Sequence, residues 1–367
     1  MGRPRKARGA CENPSPKFAS YWPQEDPGET PDGPTLPKTR IHWLGAVSLF
    51  SYNHSPDLTF RVSLNPYRGC EHGCVYCYAR PTHEYLGLSC GLDFETKIFV
   101  KREAPELLRR ALASPRWRPD PIVLSGVTDP YQPVESRLRV TRRCLEVLAE
   151  TRHPVVVVTK SRLITRDTDL LRELARHKAV GVWISLTTLD AKLASRLEPR
   201  ASLPKARLEA IQALSAASIP VGVLVAPVIP GLTTFGLREL LGKAREAGAC
   251  RAGYTLLRLP GKVRELFVSW LKTHMAQSED RILLTVASCR NGQVNSSEFG
   301  VRLYGEGPVA DLFGKLFSVL ASKAGLTEEG FELSGEAFRR PALGNCEGEQ
   351  LEWDWAEARR PLAREEL

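Results

Sequence analysis

From about Phe60 the chain alternates short β-branched apolar runs with helical stretches, and few folds accept that alternation. Ile122–Leu124 is followed by the helical pattern Leu138–Glu150, Val155–Thr159 by Asp167–His177, and Val180–Leu186 by Ala191–Ala217. Val221–Ala226 then precedes Thr234–Ala247, and Gly253–Leu259 precedes Lys262–His274. The runs are almost continuously apolar, as strands of a parallel sheet buried on both faces must be. Right-handed crossovers curl such a sheet. A further strand near Arg61–Leu64 makes six βα units, short of the eight that close a barrel. The expected class is therefore α/β, a partial (β/α)6 TIM-like barrel.

The remaining segments divide the chain further. Residues 1–40 hold 8 of the 27 prolines and no periodic apolar pattern, so an extended or disordered arm is expected there. The barrel occupies 41–275, and a helical extension with helices at Ala276–Cys289 and Pro308–Ala324 occupies 276–325. Residues 326–367 read as a loosely attached tail.

Composition narrows the setting. No run reaches the ~18 apolar residues of a membrane span, and the longest candidate, Ile219–Leu232, is interrupted by Pro220, Pro227 and Pro230. Arg3, Arg5, Lys6 and Arg8 are not followed by the apolar stretch of a secretory signal. Nine cysteines without such a signal read as reduced thiols, which points to a cytoplasmic location. The net charge of +9 admits an anionic partner, nucleic acid included, although the basic residues are spread out.

Three of those cysteines, Cys70, Cys74 and Cys77, fall within eight residues in N-P-Y-R-G-C-E-H-G-C-V-Y-C-Y-A-R. Thiols spaced C-x3-C-x2-C suit an iron–sulfur cluster or a zinc ion, the latter with His72 or His83 as a fourth ligand. Three protein ligands on a four-iron cube leave one iron free to bind a small molecule. The loop follows the first strand, and parallel βα barrels build their sites at the carboxyl ends of the strands. The other strand ends supply Ser125-Gly126-Val127 with Asp129, then Lys160, Ser185, Val228-Ile229 and Arg258. Lys160 and Arg258 are suited to carboxylates, Ser185 to a ribose or carboxylate, and Gly126 to close backbone approach. Asp129 reads equally as a turn cap before Pro130 and as an active-site group.

Taken together, these residues resemble the radical S-adenosylmethionine (radical SAM) superfamily, in its spore-photoproduct-lyase-like, DNA-repair-photolyase-like branch. The resemblance covers roughly residues 60–325. It implies that Cys70, Cys74 and Cys77 hold a [4Fe–4S] cluster whose fourth iron is chelated by S-adenosyl-L-methionine. It further implies that Tyr76 lies near the adenine and that Val228 and Ile229 line its pocket. Ser125, Gly126 and Val127 would hold the methionyl amino group, and Lys160 and Ser185 the carboxylate and ribose. The implied reaction takes one electron from an external donor of flavodoxin or ferredoxin type. Reductive cleavage then gives a 5′-deoxyadenosyl radical, which abstracts hydrogen from a substrate. Tyr78 matches the lyase's radical-relay tyrosine, and Asp129 and Arg258 complete the catalytic candidates. The lyase's hydrogen-donor cysteine would fall at Ser125-Gly126-Val127, where this chain has none, and Cys144 lies in the next helix. The resemblance thus carries over the radical chemistry and not the substrate. The alternative is a non-catalytic protein, stabilised by zinc or a cluster, that binds nucleic acid.

Overall fold

A computed structural model describes residues 8–10, 12–18, 38–45 and 49–342. Ten strands are present among them: β1 (Arg40–Trp43), β2 (Phe50–Tyr52), β3 (Val62–Leu64), β4 (Tyr67–Arg68) and β5 (Lys97–Val100) precede β6 (Ile122–Leu124), β7 (Val155–Thr159), β8 (Val180–Ser185), β9 (Val221–Val228) and β10 (Arg251–Leu256). The main sheet runs β2-β3-β6-β7-β8-β9-β10, so consecutive βα units lie side by side. Every pairing from β3 to β10 is parallel, with registers such as Leu64↔Leu124↔Val157, and β2 adds an antiparallel edge. The six expected parallel strands are all present, and the sheet does not close on itself.

Both faces of the sheet are covered, which is why β6 reads as an unbroken apolar run and why β3 and β6 are buried throughout, Ser63 included. The helix Val140–Thr151 puts Val140, Cys144, Leu145, Val147 and Leu148 into the core, the stripe expected of a helix on a sheet. Helices Thr168–Arg176, Leu237–Glu246 and Val263–His274 follow β7, β9 and β10. After β8 one long helix was expected over Ala191–Ala217; the chain forms two, Ala191–Leu197 and Pro204–Ala216. Proline excludes its predecessor from the helical region, and Leu203 is extended at φ −63°, ψ 157°. The interruption contains Glu198, whose carboxylate becomes central to the site.

A second, three-stranded sheet, β1-β5-β4, was not foreseen. β4 is only two residues long and ends immediately before the cysteine loop. Residues 8–10 of the proline-rich arm are pinned beside this loop. The Gly9 and Ala10 amides donate to the Glu95 carboxylate at 3.1 and 2.8 Å, and the Arg8 guanidinium donates to the Glu95 carbonyl at 2.7 Å. A Cβ at Gly9 would stand 1.8 Å from the Gly73 carbonyl oxygen, so only glycine fits there.

The helix Pro308–Lys323 covers the open edge of the sheet, with Phe313 and Phe317 packed on Tyr254 of β10 at 5.2 and 4.5 Å between ring centres. The segment that follows is anchored, contrary to the loose tail expected from Leu326. The Ala252 amide donates to the Thr327 carbonyl at 2.8 Å, and the Phe331 ring meets Trp183 at a tilt, 5.0 Å between centres, over the bare backbone of Gly181. Phe338 meets His153 edge-on, and the Arg340 guanidinium donates to the Trp117 carbonyl at 3.0 Å. These contacts run along the amino ends of the parallel strands, so residues 327–342 form a strap across the far side of the sheet from the cysteine loop. The apolar residues that build the strap, Phe331 and Phe338, lie outside any βα period, which is why the sequence pattern concealed them. Cys11, Cys346 and the chain after Ala342 lie outside the described residues. No helix among those described is long and apolar enough to cross a membrane.

The strap is testable at Gly181, where a Cβ would fall 2.3 Å from the Phe331 ring. Gly181→Ala should lower unfolding stability by about 1–3 kcal/mol, the usual cost of overpacking. In a Phe331→Ala background most of that cost should disappear, as a urea double-mutant cycle would read. Additive losses would mean that the strap does not press on β8.

Candidate active site

The cysteine loop leaves β4 through Gly69 and packs over the carboxyl ends of the parallel strands. Gly69 and Gly73 both adopt positive φ, +79° and +66°, turning the backbone sharply beside Cys70 and Cys74. Gln132 grips the loop on both sides of Cys70, donating to the Gly69 carbonyl at 3.1 Å and accepting from the Glu71 amide at 2.9 Å. Arg80 is fully buried and holds the other half. Its guanidinium donates to the carbonyls of Cys74, Cys90 and Gly91 at 2.9, 3.1 and 2.9 Å and to Glu95 at 2.6 Å.

The three thiols are close enough to influence one another. Cys77 packs against both the apolar group that contains Cys74 and the one that contains Cys70. Burial pushes all three thiols up, and their neighbours' charges add to the rise at Cys70 and Cys74. Such buried thiols lose their protons readily only to a cation that replaces them. Among the described residues no three Cys, His, Asp or Glu side chains converge on a position for one metal ion. A cluster distributes its ligands over separate irons, so its cysteines need not meet at a point. Both histidines proposed as a fourth zinc ligand have one ring nitrogen engaged, while Nδ1 of His83 is buried without a partner. His72 Nδ1 sits 3.3 Å from Asp129, and His83 Nε2 is bonded to the Lys97 carbonyl at 3.0 Å. The donor set therefore fits an iron–sulfur cluster better than a single zinc ion.

Opposite the loop, the strand ends bring several expected residues together. Lys160 Nζ lies 2.9 Å from Ser185 Oγ, 3.3 Å from the Ala226 carbonyl and 6.0 Å from the centre of the Tyr76 ring. Ser185 Oγ donates to the same carbonyl at 3.1 Å. Ile229 packs with Cys74, Val75 and Tyr76, whereas Val228 joins the main core. Ser125 and Gly126 both have left-handed backbone, φ 134° and 106°. For serine that conformation is strained, and it is held by the Ser125 amide bonding the Leu64 carbonyl at 3.1 Å. Asn65 Oδ1 accepts from the Val127 and Thr128 amides at 3.1 and 3.3 Å, fixing this loop against the first βα turn. Val127 itself touches the group containing Cys70 and Cys77.

Asp129 spends its carboxylate on the scaffold. Oδ1 accepts from Thr159 Oγ1 at 2.6 Å and the Tyr131 amide at 2.9 Å, and Oδ2 from the Lys160 amide at 2.7 Å. Burial alone would raise its pKa, but His72 and these bonds more than offset that and leave it at about 2. Tyr78 is half exposed at the rim and donates to the Gly126 carbonyl at 2.6 Å. The Arg258 guanidinium lies over its ring, 5.5 Å from the centre.

The most consequential residues escaped the sequence reading. Glu198 accepts from the Tyr76 hydroxyl and the Arg207 guanidinium, and from Thr187 Oγ1 at 3.0 Å. Arg207 continues to the Ser185 carbonyl at 2.9 Å, and the Val75 amide bonds the Leu197 carbonyl at 3.0 Å. Burial would raise Glu198, but Arg207, Lys160 and the Tyr76 bond pull it from the ordinary 4.5 to about 2. The only local signal was Pro204, which marks the helix break that admits Glu198.

Residues 64–244 match the family model of the radical SAM superfamily, and this part of the chain belongs to that superfamily. In structure the chain is similar to spore photoproduct lyase, with a TM-score of 0.57 at 15% identity over 80% of this chain and 82% of that one. One of the similar lyase structures is a double mutant with bound AdoMet and dinucleoside spore photoproduct. An uncharacterized protein of Mycobacterium tuberculosis is 41% identical over 216 residues, 58% of this chain and 64% of the relative's length. Another, of Methanocaldococcus jannaschii, is 27% identical over 169 residues, 46% of this chain and 61% of the relative. This chain therefore aligns with somewhat under two thirds of these relatives.

Glu198 gives a test of how the loop is held. Glu198→Gln leaves Arg207 buried without a counter-charge, which should cost about 3–5 kcal/mol near neutral pH in urea unfolding. The native carboxyl lies below its ordinary 4.5, so its contribution is complete above that value and is lost as pH falls through about 2. The metal-free wild type should weaken over that acid range more steeply than the variant. Equal urea midpoints near neutrality would remove Glu198 from this role.

Proposed function

We propose that the protein is a radical SAM enzyme whose Cys70, Cys74 and Cys77 hold a [4Fe–4S] cluster. The observation that carries this reading is the convergence of Lys160 and Ser185 on the Ala226 carbonyl, with Lys160 Nζ 6.0 Å from the centre of the Tyr76 ring of the cysteine loop. A protein that merely used a metal to stabilise its fold has no need of a lysine and a serine aimed into that corner. Cys70, Cys74 and Cys77 would hold the cluster, and with S-adenosyl-L-methionine bound that group would supply one-electron reductive cleavage chemistry.

The chain's own residues bind, orient and exclude. Lys160 offers a point charge to the methionyl carboxylate, and Ser185 a hydroxyl to the carboxylate or ribose. The turned backbone of Ser125, Gly126 and Val127 lies open to the methionyl amino group. Tyr76 and Ile229 give the adenine an apolar wall, while Val228 backs that wall from the core. Tyr78 at the rim stands between this corner and the outside, as a radical relay requires. Asp129 acts through the scaffold, fixing Lys160 by its backbone and His72 by its ring. Arg258 faces the substrate side.

The electron comes from an external donor of flavodoxin or ferredoxin type, in a reducing compartment such as the cytoplasm. The substrate is taken to be a nucleic acid or nucleotide. That choice is supported by the likeness to a lyase seen with a dinucleoside photoproduct and by the net charge of +9. The strand-end segment Ser125-Gly126-Val127 holds no cysteine, so the hydrogen must be returned to any product radical by another group than in that lyase.

Anaerobically reconstituted protein should be brown, bleach with dithionite and form 5′-deoxyadenosine when reduced with S-adenosylmethionine. Cys74→Ala should abolish the product; formation at the wild-type rate would refute the site. Lys160→Ala should weaken S-adenosylmethionine binding about tenfold or more, the scale of losing a charge-assisted contact, with the iron content unchanged. Calorimetric titration of the oxidised protein reads this without turnover.

A further inference from the structure

Two arginines near the mouth carry positive charge that nothing among the described residues answers. Arg258 follows β10 and, among those residues, makes no hydrogen bond or ion pair; its Nε is buried without a partner. Its terminal nitrogens are not among the buried unpartnered atoms, so they remain open to solvent. Its one marked contact is the face of Tyr78. Behind it, Arg290 is 1% exposed, with Nε and Nη1 both unpartnered. The third nitrogen of Arg290 reaches the Arg302 carbonyl at 3.4 Å. Arg302 is itself neutralised, gripping both oxygens of Asp57 at 2.7 and 2.6 Å.

An uncompensated buried guanidinium is costly, and buried donors are nearly always satisfied. Burial, with the charge of Arg258 beside it, lowers Arg290; burial, with the charge of Arg302, lowers Arg258. Arg258 and Arg290 crowd together while the one carboxylate beside them, Asp57, is taken by Arg302, an arrangement suited to an anion that arrives from outside. Three guanidiniums less one carboxylate leave a local charge of about two, which suits a phosphate better than a single carboxylate.

We propose that Arg258, backed by Arg290, forms a phosphate-binding subsite on the substrate side of the mouth. Arg258 touches the phosphate, and Arg290 acts through the field it projects. Tyr78 connects this subsite to the cofactor corner, since its ring stacks on Arg258 while its hydroxyl holds the Gly126 carbonyl. The subsite deepens the enzymatic reading above and rests on it. The phosphate comes either from a nucleic-acid backbone or from a free nucleotide.

The test uses the full-length reconstituted protein and fluorescence anisotropy with a short labelled single-stranded oligodeoxynucleotide. A methylphosphonate copy without backbone charge, thymidine monophosphate, inorganic phosphate and citrate serve as competitors. Wild type should bind the charged oligonucleotide or the mononucleotide; tighter binding of the first identifies a nucleic-acid source and of the second a nucleotide source. Arg258→Ala should weaken binding about tenfold or more and lower the salt slope by about one. Arg258→Lys should recover part of the affinity, and Arg290→Met should weaken binding several-fold without touching the ligand. Unchanged affinity and slope in Arg258→Ala, equal binding of the methylphosphonate copy, or competition by citrate alone would each overturn the subsite. Wild-type cluster absorbance and 5′-deoxyadenosine are followed in parallel. Loss of those signals with phosphate binding intact would instead count against the radical chemistry.

Discussion

The buried carboxylate of Glu198 is the interaction on which the site depends. It holds the Tyr76 hydroxyl of the cysteine loop, Thr187 at the end of β8 and Arg207 on the following helix. Without it the loop would keep the Gln132 bonds, the Val75–Leu197 bond and the His72–Asp129 contact, but the Tyr76 ring would lose the carboxylate that sets its place beside Lys160. On the other side of the loop, the Arg80–Glu95 pair performs the corresponding task, drawing in the arm at Gly9 and Ala10 as well. Two buried ion pairs thus hold a short segment whose thiols repel one another once ionised. Such pairs are weak sources of net stability but can hold a segment in a single arrangement, here one that carries three neighbouring cysteines.

The carboxyl ends of β6, β7, β8 and β9 act as one rim because their side chains bond sideways. Asp129 spans from β6 to β7, Lys160 from β7 to β8 and Ser185 from β8 to β9. Each strand end fixes its neighbour, so the rim is stiffer than the separate loops would be. The strained backbone at Ser125 persists because Asn65 and Leu64 hold the turn on the first strand side.

Much of this was legible in sequence. The six parallel strands were visible because burial on both faces demands apolar runs, and the cysteine spacing located the loop. Lys160 and Ser185 followed from their place at strand ends. Glu198, Arg207, Arg80 and Glu95 were not legible, since nothing in a local pattern separates a buried charged pair from a surface one. The three-stranded sheet was missed for a related reason: a two-residue strand such as Tyr67–Arg68 has no period to detect. The strap depends on two aromatic residues that find their partners more than a hundred positions away, at Trp183 and His153.

That strap has an architectural consequence. It runs along the underside of the sheet, where the Arg339 amide bonds the Thr151 carbonyl at the end of a helix. A tie that reaches from β10 through β8 to the segment before β6 works like a hoop, resisting any fanning apart of the parallel strands and so keeping the spacing of their opposite ends.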